Sequence, residues 1–197
     1  MKILKVSTPF ITSPLTYICN KSLSSGIFHS RLKFSEIKPL HKKGDRMYIT
    51  NFLPVSLRAF FSKILKKVMY VRLYQHINQS NIFATEQYGF RNNASTEKAS
   101  FKLINDILLL LNNKLTVGEI FCDLEKAFNS INHDILLSKC EFYGFRGKTN
   151  ALLRSHFSDR YQRVLRNNGF FNNNTFSEWG KGKHDVPEGS ILGPLFF

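Results

Sequence analysis

The chain has 197 residues, room for one ordinary domain or two small lobes sharing a core. Its 43% hydrophobic and 14% aromatic content, with 19 phenylalanines, argues against wholesale disorder. Lys and Arg outnumber Asp and Glu by 28 to 14, a formal net charge of +14, which points to a polyanionic partner because each neutralised phosphate releases counterions. Cys19, Cys122 and Cys140 lack metal-type spacing and are odd in number, which argues against a disulfide framework or a zinc site and predicts small buried hydrophobes in a reducing compartment.

Solubility is the plainer reading of a basic surplus, but its distribution is uneven. Residues 31–72 hold eleven Lys/Arg against Glu36 and Asp45 alone, so a basic lobe is built into the first half. The amino-terminal apolar run is broken by Ser, Thr, Pro9 and Pro14, unlike a signal peptide. No stretch approaches the roughly 18 apolar residues a membrane span requires. A soluble, intracellular protein is expected, with nucleus and cytoplasm not distinguishable.

Residues 1–30 are rich in Ser, Thr and Pro and read as a weakly ordered extension, with a short helix over Leu15 to Leu23. Leu32 to Leu40 alternates apolar and polar as a half-buried strand does, closed by a turn at Lys43-Gly44-Asp45. Leu57, Phe60, Phe61, Ile64, Leu65, Val68, Leu73 and Ile77 mark a long helix, with Ser56 as N-cap and Pro54 ahead of it. Lys63, Lys66, Lys67 and Arg72 on its other face are either solvated or in contact with a nucleic-acid backbone. A second helix runs from Thr96 to Leu111 behind Ser95. Val117 to Leu124 reads as a buried strand. Helices follow over Asp134–Phe142, ending near Gly144, and over Thr149–Phe157. Tyr161 to Leu165 alternates like a strand before an Asn/Gly turn at 167–169. The elements interleave, giving a mixed α/β chain.

Two constellations carry chemistry. In Phe121-Cys122-Asp123-Leu124-Glu125 an acid directly follows the predicted buried strand, where an unpaired charge costs several kcal/mol unless compensated. A divalent cation, a helix N-cap or a cationic partner would each compensate it. In Val186-Pro187-Glu188-Gly189-Ser190-Ile191-Leu192-Gly193-Pro194, two glycines and two prolines specify a shaped backbone, either an ordinary turn or a place where a ligand meets main-chain amides.

Taken in order, IKPLHKKGD, NFLPVSL, EQYGFRNNASTEKA, IFCDLEKAFNSINHDILL, DRYQRV and VPEGSILGPLFF resemble the reverse transcriptase domain of non-LTR retrotransposons, over roughly residues 15–197. The resemblance implies a right-hand polymerase: fingers over 31–115, a partial palm over 116–197, and antiparallel palm strands backed by helices. It implies RNA-directed DNA synthesis with an RNA template, a DNA primer, deoxynucleoside triphosphates and Mg²⁺. Asp123 matches the first metal-binding aspartate, and the Leu124 carbonyl would face a metal. Phe128 matches the bulky residue that excludes a sugar 2′-hydroxyl; its plainer reading is a core aromatic. Arg91 matches a fingers arginine that pairs with the incoming triphosphate, against the alternative of a solvated loop arginine. Pro187, Glu188 and Gly189 match the segment lying against nucleotide and template, and Lys42 and Lys43 would contact template backbone.

Departures are visible. Leu53 stands where the family carries an arginine, Glu188 where it has glutamine, and Asn129 where it has aspartate. The second catalytic motif, an Ala-Asp-Asp hairpin, has no counterpart in this sequence, so the chain by itself is expected to be inactive. The alternative function is a non-catalytic basic module that still binds nucleic acid. On either reading, filter binding of single-stranded nucleic acid weakens steeply as salt rises. A flat salt response would remove phosphate recognition altogether.

Overall fold

The computed structural model describes residues 2–58, 60–123, 131–167, 174–182 and 191–196. The described chain is mixed α/β, a partial sheet backed by helices, as the interleaved periods predict. It divides into two compact units, one made of 1–72 and 128–197 and the other of 73–127.

The larger unit begins with α1 (Lys2–Ser25), a 24-residue helix. The stretch read as a weakly ordered extension is therefore regular structure. Its core positions recur at helical spacing: Ile11 and Leu15 are half-buried, and Cys19 and Ser22 are buried. Pro9 and Pro14 lie inside the helix on exposed positions. The turn that spans Pro9 gains a side-chain bond, Thr12 Oγ1 donating to the Thr8 carbonyl at 2.6 Å. Gly26 ends the helix with φ +69°, its N–H donating to the Ser22 carbonyl. A Cβ there would lie 3.0 Å from both Ala151 Cβ and the Lys148 carbonyl, so only glycine allows this approach.

That approach seats Phe28, which is almost wholly buried. Its N–H donates to Ser155 Oγ at 3.0 Å, and its ring lies 4.6 Å from that of His156. Both partners sit on α5 (Lys148–Phe157), which packs on α4 (His133–Phe142). The core gathers here, from Leu136, Leu137, Cys140, Leu152, Leu153 and Phe157. Asn132 caps α4 by accepting from the N–H groups of Asp134 and Ile135, and Gly144 follows it with φ +91°. Near the carboxyl end, α6 (Gly193–Phe196) brings Phe196 to 5.4 Å from Phe157. Burial pushes the Cys140 thiol up to about 11 and raises that of Cys19 as well. Cys122 is exposed, against the expectation of burial.

The sheet follows the order β2-β1-β3-β4, with β5 also on β3. β1 (Phe34–His41) runs antiparallel to β2 (Phe52–Arg58) along its whole length and parallel to β3 (Arg160–Asn167) over Phe34–Ile37. The strands paired within the expected palm segment, β3 with β4 and β5, are antiparallel as the resemblance implies, and the one parallel pair joins β1 to β3. Ser56 and Pro54, predicted to start a helix, lie inside β2 instead. Pairing with β1 satisfies the backbone there, and Pro54 opposes Pro39, beyond the point where β1 leaves β3. β4 (Asn174–Phe176) and β5 (Gly180–Gly182) return along β3. Gln162 opposes Gly180 and Leu165 opposes Phe176, so two residues of β3 face three of the returning chain, a one-residue bulge. Ser177 fills it: its N–H donates to the Val164 carbonyl at 3.0 Å, and its Oγ accepts from the Val164 N–H at 2.9 Å.

α2 (Phe60–Gln79) follows β2, and Ser62 Oγ donates to the Leu32 carbonyl at 3.1 Å. Its buried stripe is Ser62, Leu65, Lys66, Met69, Leu73 and Ile77, rotated from the predicted face. Phe60 and Phe61 stay substantially exposed and Lys66 is buried, whereas Lys63, Lys67 and Arg72 face solvent. Ser62 and Lys66 complete the three-and-four spacing that apolar residues alone do not reveal.

In the smaller unit, α3 (Thr96–Asn112) begins as predicted, Ser95 Oγ accepting from the Lys98 N–H at 3.2 Å. The predicted buried strand over 117–124 is not formed: residues 117–123 carry no regular structure, and Ile120 and Phe121 are 91% and 83% exposed. A β-favouring run becomes a strand only beside a partner edge, and the described residues provide none there. Phe28→Ala should cost about 3–5 kcal/mol of unfolding free energy, read as a lowered denaturant midpoint, because it empties the joint between α1 and α5.

Candidate nucleotide and nucleic-acid site

Lys42 and Lys43 lie in the turn that closes β1 onto β2, and both are exposed. The turn is tied from within. Lys42 N–H donates to the Asn51 carbonyl (2.9 Å), Asn51 Nδ2 to the Asp45 carbonyl (2.7 Å), and Met47 N–H to Asp45 Oδ1 (3.0 Å). His41 Nε2 lies 2.8 Å from the Gly44 carbonyl. Gly44 has φ +77°, and a Cβ there would come within 2.7 Å of Asn51 Nδ2. The two lysines thus extend from a fixed, solvated turn, an arrangement suited to sequence-blind phosphate contacts.

Arg91 lies in the smaller unit, half-buried in the segment between α2 and α3. Its Nη1 donates to the Ala84 carbonyl at 3.1 Å, and its guanidinium carbon sits 5.6 Å from the centre of the Phe83 ring. Phe83 lies against Tyr74 (5.7 Å), whose hydroxyl accepts from the Asn92 N–H at 2.9 Å. Phe90 and Asn93 take positive φ (58° and 64°), and Lys98 Nζ donates to the Asn93 carbonyl at 2.7 Å. The loop is therefore built around Arg91. Tyr74, Phe83 and Ala84 support it and were not singled out from sequence, because their spacing from Arg91 follows no element period.

Asp123 is exposed and outside any regular element. Leu124, Phe128, Pro187, Glu188 and Gly189 lie outside the described residues. Among the described residues no three His, Cys, Asp or Glu side chains converge where a cation could sit, so Asp123 does not form a metal centre with them. Leu53, in the position of the family's arginine, is half-buried and opposes Leu40 across the β1–β2 ladder. A hollow of ≈ 500 Å³ between α4, α5 and β5 is bordered by His133, Asp134, Arg154, Phe157, Asp159 and Lys181, and holds none of the predicted residues. Lys181 Nζ bridges Asp159 Oδ1 there at 2.7 Å, which lowers the carboxyl pKa and raises that of the amine.

Residues 40–197 match the family model described as reverse transcriptase (RNA-dependent DNA polymerase). The chain belongs to that family. Among curated proteins it is 29% identical over 184 residues to the probable RNA-directed DNA polymerase from transposon BS of Drosophila melanogaster, covering 93% of this chain and 20% of that protein. The RNA-directed DNA polymerase from mobile element jockey of the same species is 26% identical over 93% of the chain and 19% of its own length. The corresponding protein from transposon X-element is 24% identical, again over 93% of the chain and 20% of its own length. The chain thus spans about a fifth of the length of these relatives. Reverse transcriptases act on nucleic-acid template and primer with nucleotide substrates and divalent metal. No described helix is long and apolar enough to cross a membrane.

Gly44→Ala strains the backbone and displaces Asn51, so the turn should loosen by about 1 kcal/mol or more. Faster tryptic cleavage after Lys42, Lys43 or Arg46 in the folded protein would report it.

Proposed function

We propose that this chain forms the fingers and the opening part of the palm of an RNA-directed DNA polymerase from a non-LTR retrotransposon, acting inside the cell. The observation that supports this most is the family match running unbroken from residue 40 to 197. It takes in the Lys42/Lys43 turn, the Arg91 loop, Asp123 and the Pro187-Glu188-Gly189 segment in order.

In this reading the turn carrying Lys42 and Lys43 follows the RNA template backbone through phosphate contacts. Arg91, already oriented by Ala84 and Phe83, takes the triphosphate of an incoming deoxynucleotide through its other donors. Phe128 stands against the sugar and excludes a 2′-hydroxyl by volume, and Pro187, Glu188 and Gly189 lie against nucleotide and template. Asp123 and the Leu124 carbonyl serve as ligands for Mg²⁺. When bound between a full set of carboxylates, that ion lowers the cost of primer 3′-hydroxyl attack and pyrophosphate departure. One exposed aspartate does not provide such a set, and the sequence has no Asp-Asp pair. The alternative is a module that keeps the basic fingers and binds nucleic acid without catalysis. The exposure of Asp123 and the presence of Leu53 where the family carries an arginine favour it.

The deciding experiment puts this segment in place of the corresponding part of the jockey polymerase and measures primer extension on RNA. The polymerase reading expects deoxynucleotide incorporation that Asp123→Asn lowers at least about a hundredfold. It also expects Phe128→Val to admit ribonucleotides. Extension indifferent to Asp123 overturns the reading, and absent extension with retained template binding leaves the non-catalytic module. The segment alone should incorporate nothing above background.

A further inference from the structure

Phe34 and Glu36 project to one side of β1, and the register sets them beside Tyr161 and Arg163 of β3. The contacts follow. Phe34 stacks on Tyr161 with ring centres 5.3 Å apart, and meets Trp179 edge-on at 4.9 Å. Arg163 Nε donates to Glu36 Oε1 at 3.2 Å, and Nη2 bridges the same oxygen. The guanidinium lies 3.8 Å from the centre of the Phe176 ring and 4.6 Å from that of Trp179. Four aromatic rings and a cation thus share one face. That face stays open to water: Phe34, Trp179 and Phe176 are 39%, 41% and 45% exposed.

Exposed rings gathered on one face are costly in solvent, and the charge among them limits what could cover them. The alternation places Lys38 on this side with Arg163, and Lys181 opposite Tyr161, against the carboxylate of Glu36 alone among the strands. Glu36 is bound to Arg163, and Lys181 bridges Asp159 at the sheet edge while remaining more than half exposed. The surplus of cations among exposed rings matches a ligand that is both polyanionic and rich in flat apolar faces. Unpaired nucleotides meet both conditions. A duplex presents phosphates but buries its base faces, and a lipid surface presents no planar groups.

We propose that this face of the sheet is a base-stacking platform for single-stranded nucleic acid, with Trp179, Tyr161 and Phe34 taking unpaired bases and Arg163 and Lys181 the phosphates between them. The platform rests on the polymerase reading only for the class of ligand; none of its residues is assigned to nucleotide addition. The one-residue bulge at Ser177 belongs to the device, because it offsets the returning chain just before Trp179.

Trp179 is the only tryptophan in the chain, so its emission reports the platform directly. The full chain is titrated with oligo(dT) of about ten nucleotides, a length within the range one such surface covers. Parallel titrations use an abasic oligomer of equal length and inorganic polyphosphate, with anisotropy of labelled oligomer recording binding independently. Quenching by oligo(dT), with affinity about tenfold above the abasic oligomer, supports the platform. So does loss of that tenfold advantage in Tyr161→Leu when its thermal melt is unchanged. Equal affinity for the abasic oligomer overturns the proposal, as does unchanged Trp179 emission at saturating oligo(dT). Both adverse results come from the unaltered protein, so a misfolded variant cannot hide them. Neither touches the polymerase reading, whose test is the dependence of primer extension on Asp123.

Discussion

β1 is hydrogen-bonded along both edges, and the larger unit depends on it. One edge takes β2, a few residues further along the chain; the other takes β3, reached only after the whole of α2, the smaller unit, α4 and α5. Closing a loop of 127 residues, the separation of Glu36 from Arg163, costs about 4 kcal/mol beyond its constant term. The parallel pairing alone is short, covering Phe34 to Ile37. The Arg163–Glu36 bridge, the stacked Phe34 and Tyr161 rings, and the rings around the guanidinium all act at that same stretch. Phe28 makes a second closure of identical separation through Ser155. Two joints formed across the same loop are cooperative, since either one, once made, removes most of the closure cost of the other.

Elements with a self-contained signal were legible in the sequence. Ser95 and Gly144 announce helix ends locally, and α3, α4 and α5 fall within a residue or two of their predicted bounds. β1 and β3 were legible from alternation. What escaped was whatever depends on a distant partner. Phe52 to Arg58 is apolar enough to continue into the helix after it, and only its seven-residue register against β1 makes it a strand. α1 carries Ser, Thr and two prolines, and its stripe at residues 11, 15, 19 and 22 shows only in the packing, where Ile11, Leu15 and Cys19 lie beside Phe60, Ile64 and Val68 of α2. Lys66 reads as a surface residue by type; its place in the 62, 65, 66, 69 stripe overrides that.

The candidate site divides along the same line. The turn holding Lys42 and Lys43 and the loop holding Arg91 are complete in themselves, closed by their own backbone groups and a few side chains, so their geometry follows from local sequence. Asp123 is different. Val117 to Phe121 favours a strand, and a carboxylate after a buried strand would meet the desolvation that makes a cation welcome. Without a neighbouring strand the run stays irregular and its end wet, and the aspartate is exposed. Burial of Asp123 is therefore conditional on β-pairing, not on the residue alone.

The exposed apolar positions around that aspartate make the same argument from the opposite side. Ile120 and Phe121 present large apolar side chains to water, and Phe101, Leu108 and Leu111 do so along α3. Spaced by seven and three, the α3 residues form a stripe of the kind that ordinarily faces a core. A folded chain gains nothing from leaving both in solvent, and among the described residues no strand edge lies beside Val117 to Phe121.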